Sequence, residues 1–275
     1  MIKNRLIASL LVYNGQVVQA RKFKRTNMVG SAFTAVDFFN AWTVDEIMVL
    51  EISYTRTFME RFVDILNDLS KRCFVPLSVG GKVDSLEHVH RLTRVGADKV
   101  VVNTNAVRNP VLVRQIADNY GTQCCVVSID CRPNEDMPSG YEPMIDNGKM
   151  ETGLDALEWA SHVVELGAGE LMINSLEYDG NRQGYDLNLV RAVADSVPVP
   201  VIAFGGVGKW EHFVEGVREG HADAVAAGNI FHYTEHSTKK AKDFMAEQGI
   251  PVRASTFYKV DMPRHPQYEK YLKAR

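Results

Sequence analysis

Eight short apolar, β-branched runs recur along the chain, at 6–12, 46–52, 75–79, 99–103, 124–130, 170–174, 200–204 and 222–227, with amphipathic stretches between them. Runs that are hydrophobic at nearly every position suit strands buried on both faces of a parallel sheet. Parallel neighbours need a long crossover, usually a helix. The intervening segments supply it. Phe58, Phe62, Leu66 and Leu69 recur at helical spacing. Asp84-x-x-Glu87 offers a capping-box-like start for Leu86, Val89 and Leu92, and Gly96 ends that helix. Thr152 opens another, with Leu157, Ala160 and Val164 before Gly167, and Trp210, Phe213, Val214 and Val217 run to Gly220. The pattern predicts an α/β fold, a single (β/α)8 barrel over residues 1–253 with a C-terminal extension at 254–275. An open doubly wound sheet is the alternative.

An internal repeat favours the barrel. Ala8-Ser9-Leu10-Leu11 echoes Val127-Ser128-Ile129-Asp130, and Val44-Asp45-Glu46-Ile47 echoes Ala168-Gly169-Glu170-Leu171. Ser78-Val79-Gly80-Gly81 echoes Ala203-Phe204-Gly205-Gly206, and Ala97-Asp98-Lys99-Val100 echoes Ala222-Asp223-Ala224-Val225. The offsets, 119, 124, 125 and 125, are close to half of the 275 residues. Two stacked half-barrels account for this; one open sheet does not.

Composition narrows the function classes. Lys+Arg total 31 against 34 Asp+Glu, and 45 % of residues are hydrophobic. A well-buried core is affordable, and neither nucleic acid nor an anionic membrane is expected as a partner. No apolar run reaches the roughly 18 residues a membrane span needs. The start, Met1-Ile2-Lys3-Asn4-Arg5 before the run at 6–13, superficially resembles a signal peptide, but it lacks a small-x-small cleavage site and reads as a first buried strand. Cys73, Cys124, Cys125 and Cys131 have no CxxC spacing, and the histidines form no HExxH. Reduced thiols in a cytoplasmic protein, with no metal and no cofactor, are the expectation.

In such a barrel, chemistry sits just after the strands. Gly80-Gly81-Lys82 and Gly205-Gly206-Val207-Gly208 follow the third and seventh runs; Asn103-Thr104-Asn105 and Gly228-Asn229 follow the fourth and eighth. Glycine lets backbone approach a ligand, and free N–H groups there hold phosphate oxygens. A Gly-Gly pair also simply makes a tight turn, but its repetition in both halves favours two phosphate sites facing each other across the mouth. Asp130 ends the fifth run, where a partly desolvated carboxylate serves as general acid or base, or caps a loop. Its repeat counterpart is Leu11, so the expected carboxylate pair is reduced to one. Asp179, before Gly180, is a further polar candidate or a turn residue. Arg5, Glu46, Lys99 and Glu170 stand at run starts, where they can ring the opposite end; charge there ordinarily reads as stability.

Together these residues resemble the cyclase subunit of imidazole glycerol phosphate synthase. The resemblance spans about 3–253 and is carried by KVVVNTNAVRNP at 99–110, GTQCCVVSID at 121–130, Gly167–Glu170, Asp179-Gly180 with Gly184-Tyr185-Asp186, and ADAVAAGNIFH at 222–232. It implies a barrel that binds a substrate with two phosphates, through positions Gly81, Lys82, Asn103, Thr104, Asp179, Gly180, Gly205, Gly206, Gly228 and Asn229. It also implies a glutaminase partner on the N-terminal face, contacted at Asp98. Ammonia would pass a gate of Arg5, Glu46, Lys99 and Glu170 and attack at the far end. One family catalytic Asp is Asp130; the other falls on Leu11. Lys82, Phe204 and Asn174 replace a glycine, a serine and a threonine of the family pattern.

An intact floor under an altered mouth resembles a paralogue group of surface-polysaccharide synthesis, in which barrel and glutaminase feed ammonia to a separate sugar amidotransferase. The function expected is therefore ammonia delivery from a glutaminase, serving amidination of a sugar, with reduced or no cyclase activity. The alternative is a working cyclase of histidine biosynthesis. A sugar-phosphate isomerase on the same half-barrel plan is weaker, since its chemistry needs both carboxylates. The extension at 254–275, rich in Tyr, Lys and Arg, reads either as a contact for a third protein or as a solvated tail.

Overall fold

The nearly all-apolar runs form strands because each face meets a hydrophobic layer: the lumen of the barrel on one side and helices on the other. The computed structural model describes residues 3–53, 58–233 and 236–254. It begins with β1 (Arg5–Tyr13), an antiparallel hairpin of β2 (Gln16–Arg21) and β3 (Lys24–Gly30), and α1 (Ala32–Ala41). Then come β4 (Glu46–Glu51), α2 (Phe58–Ser70), β5 (Leu77–Gly80), α3 (Leu86–Arg94), β6 (Lys99–Val102), α4 (Thr104–Arg108) and α5 (Val111–Tyr120). The second half runs β7 (Cys125–Pro133), a hairpin of β8 (Tyr141–Ile145) and β9 (Met150–Glu151), α6 (Ala156–Glu165), β10 (Glu170–Ser175), α7 (Leu187–Ser196), β11 (Val201–Phe204), α8 (Glu211–Arg218), β12 (Ala224–Ala227) and α9 (Ser237–Glu247).

The sheet closes on itself. β1 pairs in parallel with β4 (Ile7↔Glu46) and with β12 (Arg5↔Ala224), and β7 pairs with both β6 and β10. An open doubly wound sheet would leave two edges; here β1, β4, β5, β6, β7, β10, β11 and β12 form a ring without edges, the expected (β/α)8 barrel. Inward residues Ile7, Met48, Val101, Val126, Met172 and Ile202 pack together in the lumen, while alternate residues such as Leu6, Val49 and Val127 pack under the helices. No helix among the described residues is long and apolar enough to cross a membrane. The extension expected at 254–275 lies, beyond Ala254, outside the described residues.

Two helix starts differ from the sequence reading. The α3 N-cap is Ser85, whose Oγ accepts the His88 N–H at 3.2 Å, and not Asp84. Its extended backbone sets the hydroxyl over the first turn, as N-cap geometry requires. Asp155 caps α6, accepting from Leu157 and Glu158 at 3.0 and 3.2 Å. Thr152 instead donates to Pro143 O at 2.7 Å and closes the hairpin of β8 and β9. The two hairpins themselves extend the repeat, since they follow β1 and β7, which are repeat mates.

A set of acids clasps the N-terminal ends of the strands. Asp45 Oδ2 accepts the Leu6 N–H at 3.0 Å, Asp98 Oδ2 accepts Leu77 N–H at 2.8 Å, and Asp223 Oδ2 accepts Val201 N–H at 2.9 Å. Each residue precedes one strand and holds the start of its neighbour. Asp45 is also held by Lys242 of α9, Nζ to Oδ1 at 2.6 Å, with both side chains under 5 % exposed (1 % and 4 %). This pair fastens α9 to the first half. Lys242→Met keeps the side-chain volume but strands a buried carboxylate, and is expected to cost about 3–5 kcal/mol of unfolding free energy by urea denaturation. A loss within ordinary surface-mutation scatter would show that Asp45 does not depend on Lys242.

Candidate functional site

The C-terminal ends of the strands enclose a cavity of about 600 Å³. Leu11, Glu51, Gly81, Asn103, Asp130, Asn174 and Phe204 each reach it from the end of a different strand. Asp130 is half-buried and well held: Asn103 Nδ2 donates to Oδ2 at 3.0 Å and Ser128 Oγ to Oδ1 at 3.3 Å. Burial and the nearby charge of Asp179 push its pKa up to about 7, against the pull of the Ser128, Asn174 and Asn103 side chains. A carboxyl poised near neutrality suits proton transfer in either direction. Asp179 is raised too, by burial, while its Oδ2 accepts the Phe23 N–H at 3.0 Å. The mouth thus contains a second acid beside Asp130, supplied from the loop after β10 and not from position 11. Leu11 lies in the cavity wall as a plain apolar side chain.

The candidate phosphate loops fall at the same end. Gly180, Gly205, Gly206, Gly228 and Asn229 surround a narrow recess beside the main cavity, with Asp179 at its border. Gly81, Lys82, Asn103 and Thr104 line the main cavity on the first-half side. Several of these glycines are required by the chain itself. A Cβ at Gly206, where φ is +87°, would stand 1.9 Å from Gly184 O; at Gly81, with φ +120°, it would meet Glu51 O at 2.4 Å. Lys82 adopts a left-handed φ of 52°, a conformation that favours glycine. Its charge acts on Glu51, a buried carboxylate whose pKa is raised by burial against bonds from Ser53 and that charge.

At the opposite end the four charged residues meet. Arg5 Nη1 donates to Glu46 Oε2 at 2.8 Å and to Glu170 Oε2 at 3.2 Å. Lys99 Nζ donates to Glu46 Oε2 at 2.8 Å and to Glu170 Oε1 at 3.0 Å. Ser78 Oγ donates to Glu46 Oε1 at 2.6 Å. Two cations and two anions therefore alternate in a closed ring across the floor. Asp98 lies on the same face, exposed apart from its clasp on Leu77.

A family model described as histidine biosynthesis protein matches residues 5–237. The chain belongs to the histidine biosynthesis protein family. The matched span runs from the first barrel strand to the start of α9, so the ring, the lumen and the mouth all lie within it.

Several further residues line the cavity that the sequence alone did not place in the site. Phe23, Lys24 and Arg25 arrive on the first hairpin, and Asp146 on the second; Arg108 comes from α4 and Glu51 from the end of β4. A signal for the hairpins exists in Asn14-Gly15 and Asn147-Gly148, dipeptides that favour tight hairpin turns, and all four residues have positive φ. The cysteines are free thiols, and burial pushes Cys73 up to about 11 and Cys125 up to about 12, which makes them poor nucleophiles.

The raised Asp130 pKa has a consequence for stability. Between about pH 4, where an unfolded carboxyl titrates, and the native value of about 7, the folded state keeps a proton that the unfolded chain has released. Stability therefore falls as pH rises through that window. Asp130→Asn removes the dependence, so the variant should gain on the parent by about 1–3 kcal/mol between pH 5 and pH 8. Thermal unfolding at the two pH values measures this; an unchanged difference means Asp130 does not titrate there.

Proposed function

We propose that this protein is the barrel subunit of a glutamine-dependent ammonia-transfer complex. A glutaminase docks on the N-terminal face, ammonia crosses the barrel, and a separate enzyme uses it to amidinate a sugar of a surface polysaccharide. The observation that carries the reading is the ring of Arg5, Glu46, Lys99 and Glu170 set directly below an apolar lumen. A fully paired ring excludes water and ions, and displacement of one long side chain opens a path for a neutral molecule. Ser9 adds support: it shares the lumen face with Ile7, is buried, and its Oγ has no hydrogen-bond partner among the described residues. A small hydrogen-bonding guest satisfies it. At the mouth Leu11 can neither move a proton nor accept a hydrogen bond, which fits delivery of ammonia better than cyclisation by an acid pair.

The test is the ratio of glutamine hydrolysed to amidinated sugar formed, in the complex with its glutaminase and sugar amidotransferase. Lys99→Ala should raise that ratio several-fold with glutamine and leave the free-ammonium reaction unchanged. A ratio at the parental value would make the ring purely structural. Asp98→Asn keeps an acceptor for the Leu77 N–H while removing the charge, so it should weaken glutaminase docking without loosening the floor. Undiminished affinity would remove Asp98 from the interface.

One observation favours the second reading, a functional cyclase of histidine biosynthesis: Asp130 and Asp179 share the cavity and both carry raised pKa values. An ammonia-dependent cyclase assay with the family's bisphosphate substrate separates the two. Silence from the folded parent, with measurable turnover in Leu11→Asp that is lost again in Leu11→Asp/Asp130→Asn, supports ammonia delivery. Parental turnover at or above that of Leu11→Asp supports the cyclase, with Asp179 as the second acid.

A further inference from the structure

The two hairpins cross over the mouth. The first, inserted after β1, leans on the second half: Asn229 Nδ2 donates to Ala20 O at 2.8 Å, and the Phe23 N–H donates to Asp179 Oδ2. The second, inserted after β7, leans on the first half: the Asp146 N–H donates to Thr104 Oγ1 at 3.1 Å, and the Asp146 carboxylate pairs with Arg108. Thr104 and Asn229 are repeat mates, so the two contacts correspond. What they present does not. The first hairpin offers Asn229 a backbone carbonyl. The second places a negatively charged group at the first-half loops, where Asp146, Arg108, Thr104 and Lys82 line the same cavity.

The backbone fixes that placement. Asp146, Asn147 and Gly148 have φ of 53°, 57° and 72°, three consecutive left-handed residues that turn the hairpin tip back onto α4. The carboxylate is thereby tethered beside its cation, and a tethered group competes at an effective concentration on the order of millimolar. Both partners are more than a third exposed (39 % and 49 %), so a ligand reaches the site and must displace Asp146 there. Glu51, facing Lys82, adds a second acid on this side. On the second-half side the recess of Gly205, Gly206, Gly228 and Asn229 is bordered, among the described residues, by one acid, Asp179, whose Oδ2 is taken by Phe23.

We propose that Asp146 is a built-in substitute for an anion at the first-half loops, and that the mouth consequently selects a ligand carrying one phosphate over one carrying two. This rests on the phosphate reading of the repeated loops and adds a residue that decides between ligand classes. A phosphate entering the first half meets a carboxylate already paired with Arg108; at the second half it meets backbone donors. Asp146→Asn leaves the turn intact, since asparagine tolerates the left-handed conformation, and releases Arg108.

The experiment titrates inorganic phosphate into the full chain by calorimetry, with ³¹P line broadening as a second readout. One site is expected in the parent and two in Asp146→Asn, the new one about five- to tenfold tighter than any first-half binding in the parent. Asp146→Asn/Arg108→Gln should return to one site, which locates the gain at Arg108. Two comparable sites in the parent, or one site in both parent and Asp146→Asn, would overturn the assignment of Asp146 while leaving the phosphate reading standing. No binding by either protein overturns the phosphate reading and this inference together.

Discussion

Glu46 is 1 % exposed and accepts from Arg5, Lys99 and Ser78, and the architecture at the floor is organised around keeping that carboxylate satisfied. A buried charge is tolerated only when its partners are in place. Those partners come from β1, β5 and β6, and Glu170 closes the circle from β10. The ring therefore ties strands of both halves together at the end of the barrel, where tilt and register must agree for the sheet to close. The aspartate clasps of Asp45, Asp98 and Asp223 hold the same end by backbone N–H groups.

From that base the interior changes character with height. Above the charges the lumen is an apolar layer of Ile7, Met48, Val101, Val126, Met172 and Ile202. Above this layer stand the mouth residues, where the apolar Leu11, Leu50 and Phe204 share the cavity wall with Asp130, Asn174, Ser128 and Asp179. The two halves, alike at the floor in Glu46 and Glu170, are unlike at the mouth. The second half carries Asp130 and Asp179 and the first half Glu51, all with raised pKa values, but only the second half has an acid at the position where the first half has Leu11.

Much of this was legible because it depends on local pattern. Continuous apolar runs are what a doubly covered strand must look like, and the eight runs became the eight barrel strands with ends moved by at most a few residues. The positions of Arg5, Glu46, Lys99 and Glu170 follow from the same reading, since a residue at a strand start has only one end of the barrel to occupy. The hairpins escaped notice because β2, β3, β8 and β9 fall outside the helix–strand alternation, and β3, exposed along almost its whole length, has no apolar run to mark it. Glu51 escaped as a site acid, and Asp179 was legible only as a polar candidate or a turn residue, for a different reason. Their raised pKa values come from burial and neighbours contributed by distant segments, which spacing along the chain does not encode. Helix starts at Ser85 and Asp155 went to the residue with the right backbone angles, a choice between nearby candidates that composition leaves open.

The crossing of the hairpins also says something about how the chain is divided. Ala20 rests on Asn229 and Asp146 on Thr104, so each half of the repeat carries the cover of the other half's loops. The halves are interlocked, not merely stacked. A fragment ending between α5 and β7 would hold its own strands and helices but leave its loops uncovered, with its hairpin reaching for a surface that is missing. Such fragments are complementary in the manner of a clasp: reciprocal exchange completes both mouths at once, and neither half owns a finished site.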